Sequence, residues 1–357
     1  MSRTRPAVGT PLDTRAGTGT PRTGTPAPLL SVRGLTVTVG PAARPVHLVD
    51  GVDLDVAAGQ ILGIAGESGS GKTMTGMALI GLPPDGAGVT GSIAFDGREL
   101  LDLTPRQWED TRGRDIAMVF QDPSASLHPM LTVGRQLTDH VRRHQGLRRN
   151  QAHARAVELL DLVRIPDPNR AAGLYPHQFS GGMRQRVAIA GALACGPKLL
   201  IADEPTTALD VTVQAGIIDL LDDLRRDTGM AVVLVTHDLG VISSIADRIA
   251  VFYAGRVVET GTRAEVLAAA RHPYTRGLLG ALPHTSLGQR LGSGEPIPLV
   301  PIPGQAPSAD ALPDGCPFHP RCAHRVDTCA IERPPLAATA PAGTHLLSCH
   351  VDPWSNQ

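Results

Sequence analysis

The sequence predicts an α/β protein with a sheet covered on both faces, followed by an irregular, cysteine-bearing extension. Three observations carry that prediction. Residues 66–73 read Gly-Glu-Ser-Gly-Ser-Gly-Lys-Thr, two glycines flanking four residues ahead of Lys-Thr. Ile116–Phe120, Leu199–Ala202 and Ala231–Val235 are short, near-continuous apolar runs, the pattern of parallel strands buried above and below. After Pro273, Pro and Gly recur, and four of the five cysteines fall between Cys316 and Cys349.

The elements follow in order. Residues 1–28 are mostly Thr, Pro, Gly, Arg and Ala. They offer too little apolar surface to offset ordering entropy, so a disordered tail is expected. Its arginines precede no apolar segment, so it is no secretory signal. From Leu29 to Arg271 strand-like and helical stretches alternate. Val52-Asp53-Leu54-Asp55-Val56 alternates as a half-exposed strand does. Ile61–Ala65 is an apolar strand leading into the octapeptide, and Met74–Ile80 a helix leading out of it. Ile93-Ala94-Phe95, then Asp96-Gly97, reads as a hairpin strand and its turn. Residues 124–195 lack apolar runs and show helical periodicity around Ala152–Val163, so a helical insertion is expected there. The segment 272–357 reads as a separate appendage with little regular structure.

Composition narrows the function. At 357 residues the chain holds one large domain or two modest ones. A formal charge of −1 gives no global case for nucleic acid as a partner, and 3% aromatics weakens base stacking as a binding mode. No apolar stretch approaches the ~18–20 residues that span a bilayer. A soluble, intracellular protein is expected, unless a partner holds it at a membrane.

The chemistry concentrates in three places. Gly66, Glu67, Ser68, Gly69, Ser70, Gly71, Lys72 and Thr73 form a phosphate-binding loop between strand and helix. Its glycines let backbone N–H groups turn toward phosphate oxygens, and the helix N-terminus adds positive potential. Lys72 would reach the β- and γ-phosphates, and the Thr73 hydroxyl would bind Mg²⁺. The apolar strand 199–202 ends in Asp203 and Glu204. Asp203 suits the Mg²⁺, directly or through water, and Glu204 can polarise an attacking water. Phe179-Ser180-Gly181-Gly182-Met183-Arg184-Gln185-Arg186 places a helix-capping serine before two glycines, a second phosphate-binding surface.

These motifs, in this order, resemble the nucleotide-binding subunit of an ATP-binding-cassette (ABC) transporter. Residues 66–73 are similar to that family's first phosphate loop, 180–185 to its signature, and 199–204 to its catalytic strand. Gln121 resembles the Q-loop residue, Ala208-Leu209-Asp210 the D-loop, and His237 the switch histidine. The resemblance implies a P-loop NTPase fold with a RecA-like core, an antiparallel β subdomain and a helical subdomain at about 124–195. The cassette would occupy 29–271. Two subunits would pair head to tail around two ATP molecules, with Ser180, Gly181, Gly182 and Asp210 of one facing the nucleotide of the other. Glu204 would be the general base, and His237 would stabilise charge on the γ-phosphate. Gln121 would link Mg²⁺ and water to the membrane subunits. In one respect the sequence departs from the pattern: Val39 stands where an adenine-stacking aromatic is expected, which implies looser base selectivity.

Within the family, His272–Leu279, Ile302–Pro307, Gly315–Cys322 and Gln121–Pro129 are similar to segments of dipeptide/oligopeptide importers. That implies an ATPase driving peptide uptake from the cytoplasmic face of the membrane, as a homodimer or with a paralogous ATPase. Two permease subunits and an extracellular substrate-binding protein complete the assembly. Nickel complexes remain an alternative cargo, and a non-transport ABC ATPase of the DNA-repair or translation type an alternative class. Cys316, Cys322, Cys329 and Cys349 are spaced by five, six and nineteen residues. In a reducing compartment such thiols favour metal binding over disulfides. The resemblance implies a [4Fe–4S] cluster, with Zn²⁺ as the alternative and unbound thiols as the third option. Cys195 suits a small buried apolar role.

Overall fold

The computed structural model describes residues 27–207, 209–282, 301–340 and 343–354. The expected tail, apart from its last two residues, lies outside them, as do Ala208 of the D-loop segment and the prolines at 283, 296 and 298.

β1 (Leu30–Val39) and β2 (Val46–Val56) pair antiparallel, with Val52, Leu54 and Val56 buried and Asp53 and Asp55 exposed, as the alternation predicts. β3 (Ile61–Ala65) is buried at every position and delivers the phosphate loop to α1 (Lys72–Leu79). β4 (Gly88–Phe95) returns beside β1 and turns through Asp96 and Gly97, at φ 50° and 77°, into β5 (Arg98–Glu99). Both central turn residues thus have the positive φ that a tight Asp-Gly hairpin turn requires. α2 (Pro105–Thr111) starts at a capping box between Thr104 and Gln107 and leads to β6 (Ile116–Val119).

The helical insertion follows as α3 (Pro123–Ser126), α4 (Val133–Gln145), α5 (Arg149–Leu162), α6 (Pro168–Ala171) and α7 (Gly181–Leu193). Leu137, Val141, Ala152, Ala156, Leu159 and Leu160 give α4 and α5 a shared apolar face. β7 (Leu199–Asp203) and β8 (Ala231–Val235) are buried throughout and flank α8 (Val211–Thr228). Each large apolar side chain so buried contributes about 1.5–3 kcal/mol, which is why these runs carry almost no polar residues. α9 (Leu239–Ile245), the hairpin β9 (Arg248–Tyr253) and β10 (Arg256–Thr262), α10 (Arg263–Ala268) and α11 (Pro273–Gly280) follow.

Among the described residues the strands form two sheets. The smaller is antiparallel, in the order β2-β1-β4-β5. In the larger, β9, β3, β8, β7 and β6 run parallel, and β10 joins β9 antiparallel.

The C-terminal segment docks against the larger sheet. β11 (Ala337–Ala338) and β12 (Leu346–Leu347) extend the larger sheet, with β12 paired to β10 through Glu259↔Leu347 and Thr260↔Leu346. Phe318 packs against Tyr253 and Tyr274, with ring centres 5.3 and 5.4 Å apart. Strands two residues long show no periodicity, and prolines suppress helices around them, so sequence pattern conveys little of this docking.

Candidate functional site: a nucleotide cleft

The phosphate loop is shaped by close approach of its own backbone to neighbouring strands. Gly66 has φ 149°, and a Cβ there would lie 2.3 Å from the Phe252 carbonyl oxygen at the end of β9. Gly71 has φ 99°, and a Cβ there would lie 2.7 Å from the Leu48 carbonyl oxygen. Only glycine fits either position. Gly71 then caps α1 without a side-chain bond, so the first-turn amides and the helix dipole are directed to an anion.

Lys72 is buried, and its Nζ donates to the carbonyls of Gly66 and Glu67, each at 2.8 Å. Burial pushes its pKa down, against the opposing charges of Glu204, Asp203 and Glu67. The Thr73 hydroxyl donates to Asp203 Oδ1 at 3.2 Å. Burial, reinforced by the Glu204 charge, raises the Asp203 pKa above the ordinary carboxylate value, while Thr73 and Lys72 lower it. A hydroxyl and a carboxylate held together make an oxygen donor set, and Gln121 supplies an amide nearby. That chemistry fits Mg²⁺.

Glu204 is the hub. It leaves β7 at φ 45°, left-handed for a non-glycine residue, a conformation that costs about 1 kcal/mol or more. Gln121 Nε2 and Thr207 Oγ1 donate to its Oε2 at 3.0 and 2.8 Å, and His237 Nδ1 lies 3.0 Å from its Oε1. Burial alone would raise its pKa. The bonds from His237 and Thr207 outweigh that and hold it below the ordinary value, so the carboxylate is ionised and able to accept a proton.

The structure therefore brings the phosphate loop, Gln121, Asp203, Glu204 and His237 together. Residues 67–74, with Gln121, Glu204, Thr207 and His237, line a cleft of about 870 Å³, in the range of small-molecule sites. It does not bring Ser180, Gly181, Gly182 and Asp210 to that cleft. Ser180 caps α7 by accepting from Met183 N at 3.3 Å, and Asp210 caps α8 by accepting from Val213 N at 2.9 Å. A Cβ on Gly182 would lie 2.4 Å from Val213 Cγ1, so these two helix starts sit side by side on another face.

Sequence reading missed Thr207, whose hydroxyl three residues after Glu204 is too common a feature to single out. It also missed Leu48, Pro307 and Ala309 on the cleft wall, and Tyr274 and Arg321 behind the loop, which reach it only through the tertiary fold. Val39 pairs with Val46 at the end of β1 and is absent from the cleft lining among the described residues.

The five cysteines are unpaired. Burial pushes the Cys316 thiol up to about 11, and charges on Cys329, Cys349 and Cys322 add to it, so the four lie in one neighbourhood. Four soft thiols suit zinc or iron chemically. Yet among the described residues no three His, Cys, Asp or Glu side chains are placed to hold a metal ion, so their arrangement does not fit a formed metal site. Cys195 lies partly buried against the core, its pKa raised by burial, in keeping with an apolar role.

A phosphate loop on a parallel sheet, an acidic strand end holding its threonine, and a glutamate gripped by glutamine and histidine define a P-loop ATPase of the ABC class. The ABC transporter family model matches residues 49–207, and the model of the oligopeptide/dipeptide transporter C-terminal region matches 258–329. The oligopeptide transport ATP-binding protein OppD of Salmonella typhimurium is 47% identical over 313 residues, 88% of this chain and 91% of that protein. The dipeptide transport ATP-binding protein DppD of Bacillus subtilis is 44% identical over 323 residues, 90% and 94% of the two chains. A dimeric ABC cassette, MJ0796, bound to ADP and Pi, superposes with TM-score 0.58 at 31% identity, over 66% of this chain and 98% of that one. The chain belongs to the ABC transporter ATP-binding subunits, in the group that includes OppD and DppD.

Proposed function

We propose that this ATPase drives the uptake of dipeptides or oligopeptides across a membrane to which partner subunits hold it. The observation that carries the reading is the Glu204 carboxylate, bonded to Gln121, Thr207 and His237 beside a buried phosphate-loop lysine. The identity to OppD and DppD along nearly the full chain supports the cargo class.

The phosphate-loop amides and Lys72 bind and orient the triphosphate. Thr73 and Asp203, with Gln121, would hold Mg²⁺, which neutralises phosphate charge when bound. Glu204 takes the proton of the attacking water, and His237 orients Glu204 and donates toward the γ-phosphate. Ser180, Gly181, Gly182 and Asp210, placed away from their own cleft, are suited to complete the site of a second ATPase subunit, identical or paralogous. The dimeric state of MJ0796 is consistent with that pairing.

No helix among the described residues is long and apolar enough to cross a membrane. The likeness to OppD and DppD supports two permease subunits as the path for peptide, loaded by an extracellular substrate-binding protein. An apolar groove of about 420 Å³, lined by Met118, Phe120, Leu127 and Val187, adjoins Gln121 and is a suitable dock for a permease on the cytoplasmic face. The cassette would span 29–271, with the C-terminal extension at 272–357. Cys316, Cys322, Cys329 and Cys349 would hold a [4Fe–4S] cluster, or Zn²⁺, only in an arrangement different from the one described. Iron, sulfide and zinc analysis of anaerobically purified protein decides this, and absence of all three rejects it.

The test of function is reconstitution with the permeases in vesicles. ATP should drive uptake of labelled dipeptide. Glu204→Gln should keep ATP binding and lower hydrolysis and uptake together by about 10²–10⁴-fold. Equal turnover by the two proteins would reject the role given to Glu204.

A further inference from the structure

Glu67 stands in the phosphate loop, and the C-terminal region grips it twice. The Tyr274 hydroxyl, on α11, accepts its main-chain N–H at 2.8 Å. Arg321 donates to both of its carboxylate oxygens, Nη1 to Oε2 at 2.7 Å and Nη2 to Oε1 at 3.0 Å.

The arginine is itself fixed before it meets the loop. Its side chain is 6% exposed, and its Nε donates to the Pro303 carbonyl at 2.8 Å. Its guanidinium lies 5.9 Å from the ring centres of both Tyr253 and Phe318. Such a fork meets a carboxylate in one plane, so the pair fixes angle as well as distance. The Glu67 carbonyl in turn holds Lys72 Nζ. Pro307 and Ala309, from the same extension, stand on the cleft wall.

We infer that Arg321 is a positioning residue for the nucleotide site: acting through Glu67, it holds the phosphate loop and Lys72 in the geometry that receives the triphosphate. Nucleotide affinity is then set from a residue 254 positions away in the chain. This rests on the ATPase reading. Arg321 touches no reacting atom, so its loss weakens ground state and transition state alike, raising KM and sparing kcat.

The experiment uses the full chain and its Glu67→Gln, Arg321→Lys and doubly substituted variants, titrated with Mg-ATP and assayed for hydrolysis. Each single variant should bind ATP about tenfold more weakly. The kcat of Arg321→Lys at saturation should stay within about threefold of the parent. The double variant should be no worse than the worse single, because both break one link. Lysine keeps the charge but not the fork, so it should not rescue binding. Unchanged affinity in either variant, full additivity, or a fall in kcat with affinity intact would overturn the inference. If Arg321→Lys does not fold, Glu67→Gln decides alone, since it leaves Arg321 seated among its rings. A parent chain without ATP affinity would instead reject the nucleotide site itself.

Discussion

Mild acid should loosen this protein through one buried ring. His272 caps α11, and its Nδ1 accepts the Tyr274 N–H at 3.1 Å. The neutral ring therefore carries its proton on Nε2. Protonation would put a second N–H against the Tyr274 donor. Burial pushes the pKa from the ordinary 6.5 down to about 4, despite the Glu259 charge and the Ser348 carbonyl, which pull it upward. Below pH 6.5 the unfolded chain binds a proton that the folded chain refuses. Stability from this group is thus complete above pH 6.5 and is lost as pH falls toward 4. At 1.36 kcal/mol per unit the interval is worth about 3 kcal/mol in all, and about 2 kcal/mol by pH 5. His272→Asn keeps an acceptor for Tyr274 but cannot titrate. Urea unfolding of both proteins at pH 7.5, 6 and 5 isolates the effect, because other titrating groups cancel in the difference. The parent's advantage over the variant should shrink by about 2 kcal/mol between pH 7.5 and 5. A constant difference, or an NMR titration of His272 centred near 6.5, would refute the reasoning.

Other consequences can be checked more quickly. Gly66→Ala drives a methyl into the Phe252 carbonyl, and the stabilisation normally conferred by Mg-ATP in a thermal melt should vanish. Gly182→Ala pushes on Val213 and so on the start of α8 beside Asp210. ATP binding should survive, while hydrolysis falls at least tenfold at concentrations where the parent dimerises. No Phe, Tyr or Trp lines the cleft among the described residues, so ATP and GTP should bind within about tenfold of each other, since a stacked base is worth about 1–3 kcal/mol. A strong ATP preference in competition binding would show that another residue supplies the contact.

What the sequence made legible was local. The phosphate loop, the acidic end of β7 and the capping role of Ser180 each depend on residues within a few positions, and spacing reveals them. Asp96-Gly97 announced its hairpin because only certain residues tolerate that backbone. Gln121 and His237 were found by motif order, although what holds them in place is Glu204, 83 and 33 positions away. Thr207 escaped because a hydroxyl near a strand end has many ordinary uses. Arg321 escaped because nothing in a stretch of prolines and cysteines points to a loop near residue 67. The four cysteines were legible as a group, but their side-chain arrangement was not, because spacing along an irregular chain does not fix direction.

The pairing of β12 with β10 has a consequence for handling the protein. Without Leu346 and Leu347, the outer strand Arg256–Thr262 would present unanswered main-chain donors and acceptors along one margin of the larger sheet. Such a margin is a template for other chains. A preparation clipped near residue 330 should therefore self-associate into β-rich aggregates even while its ATP cleft remains whole.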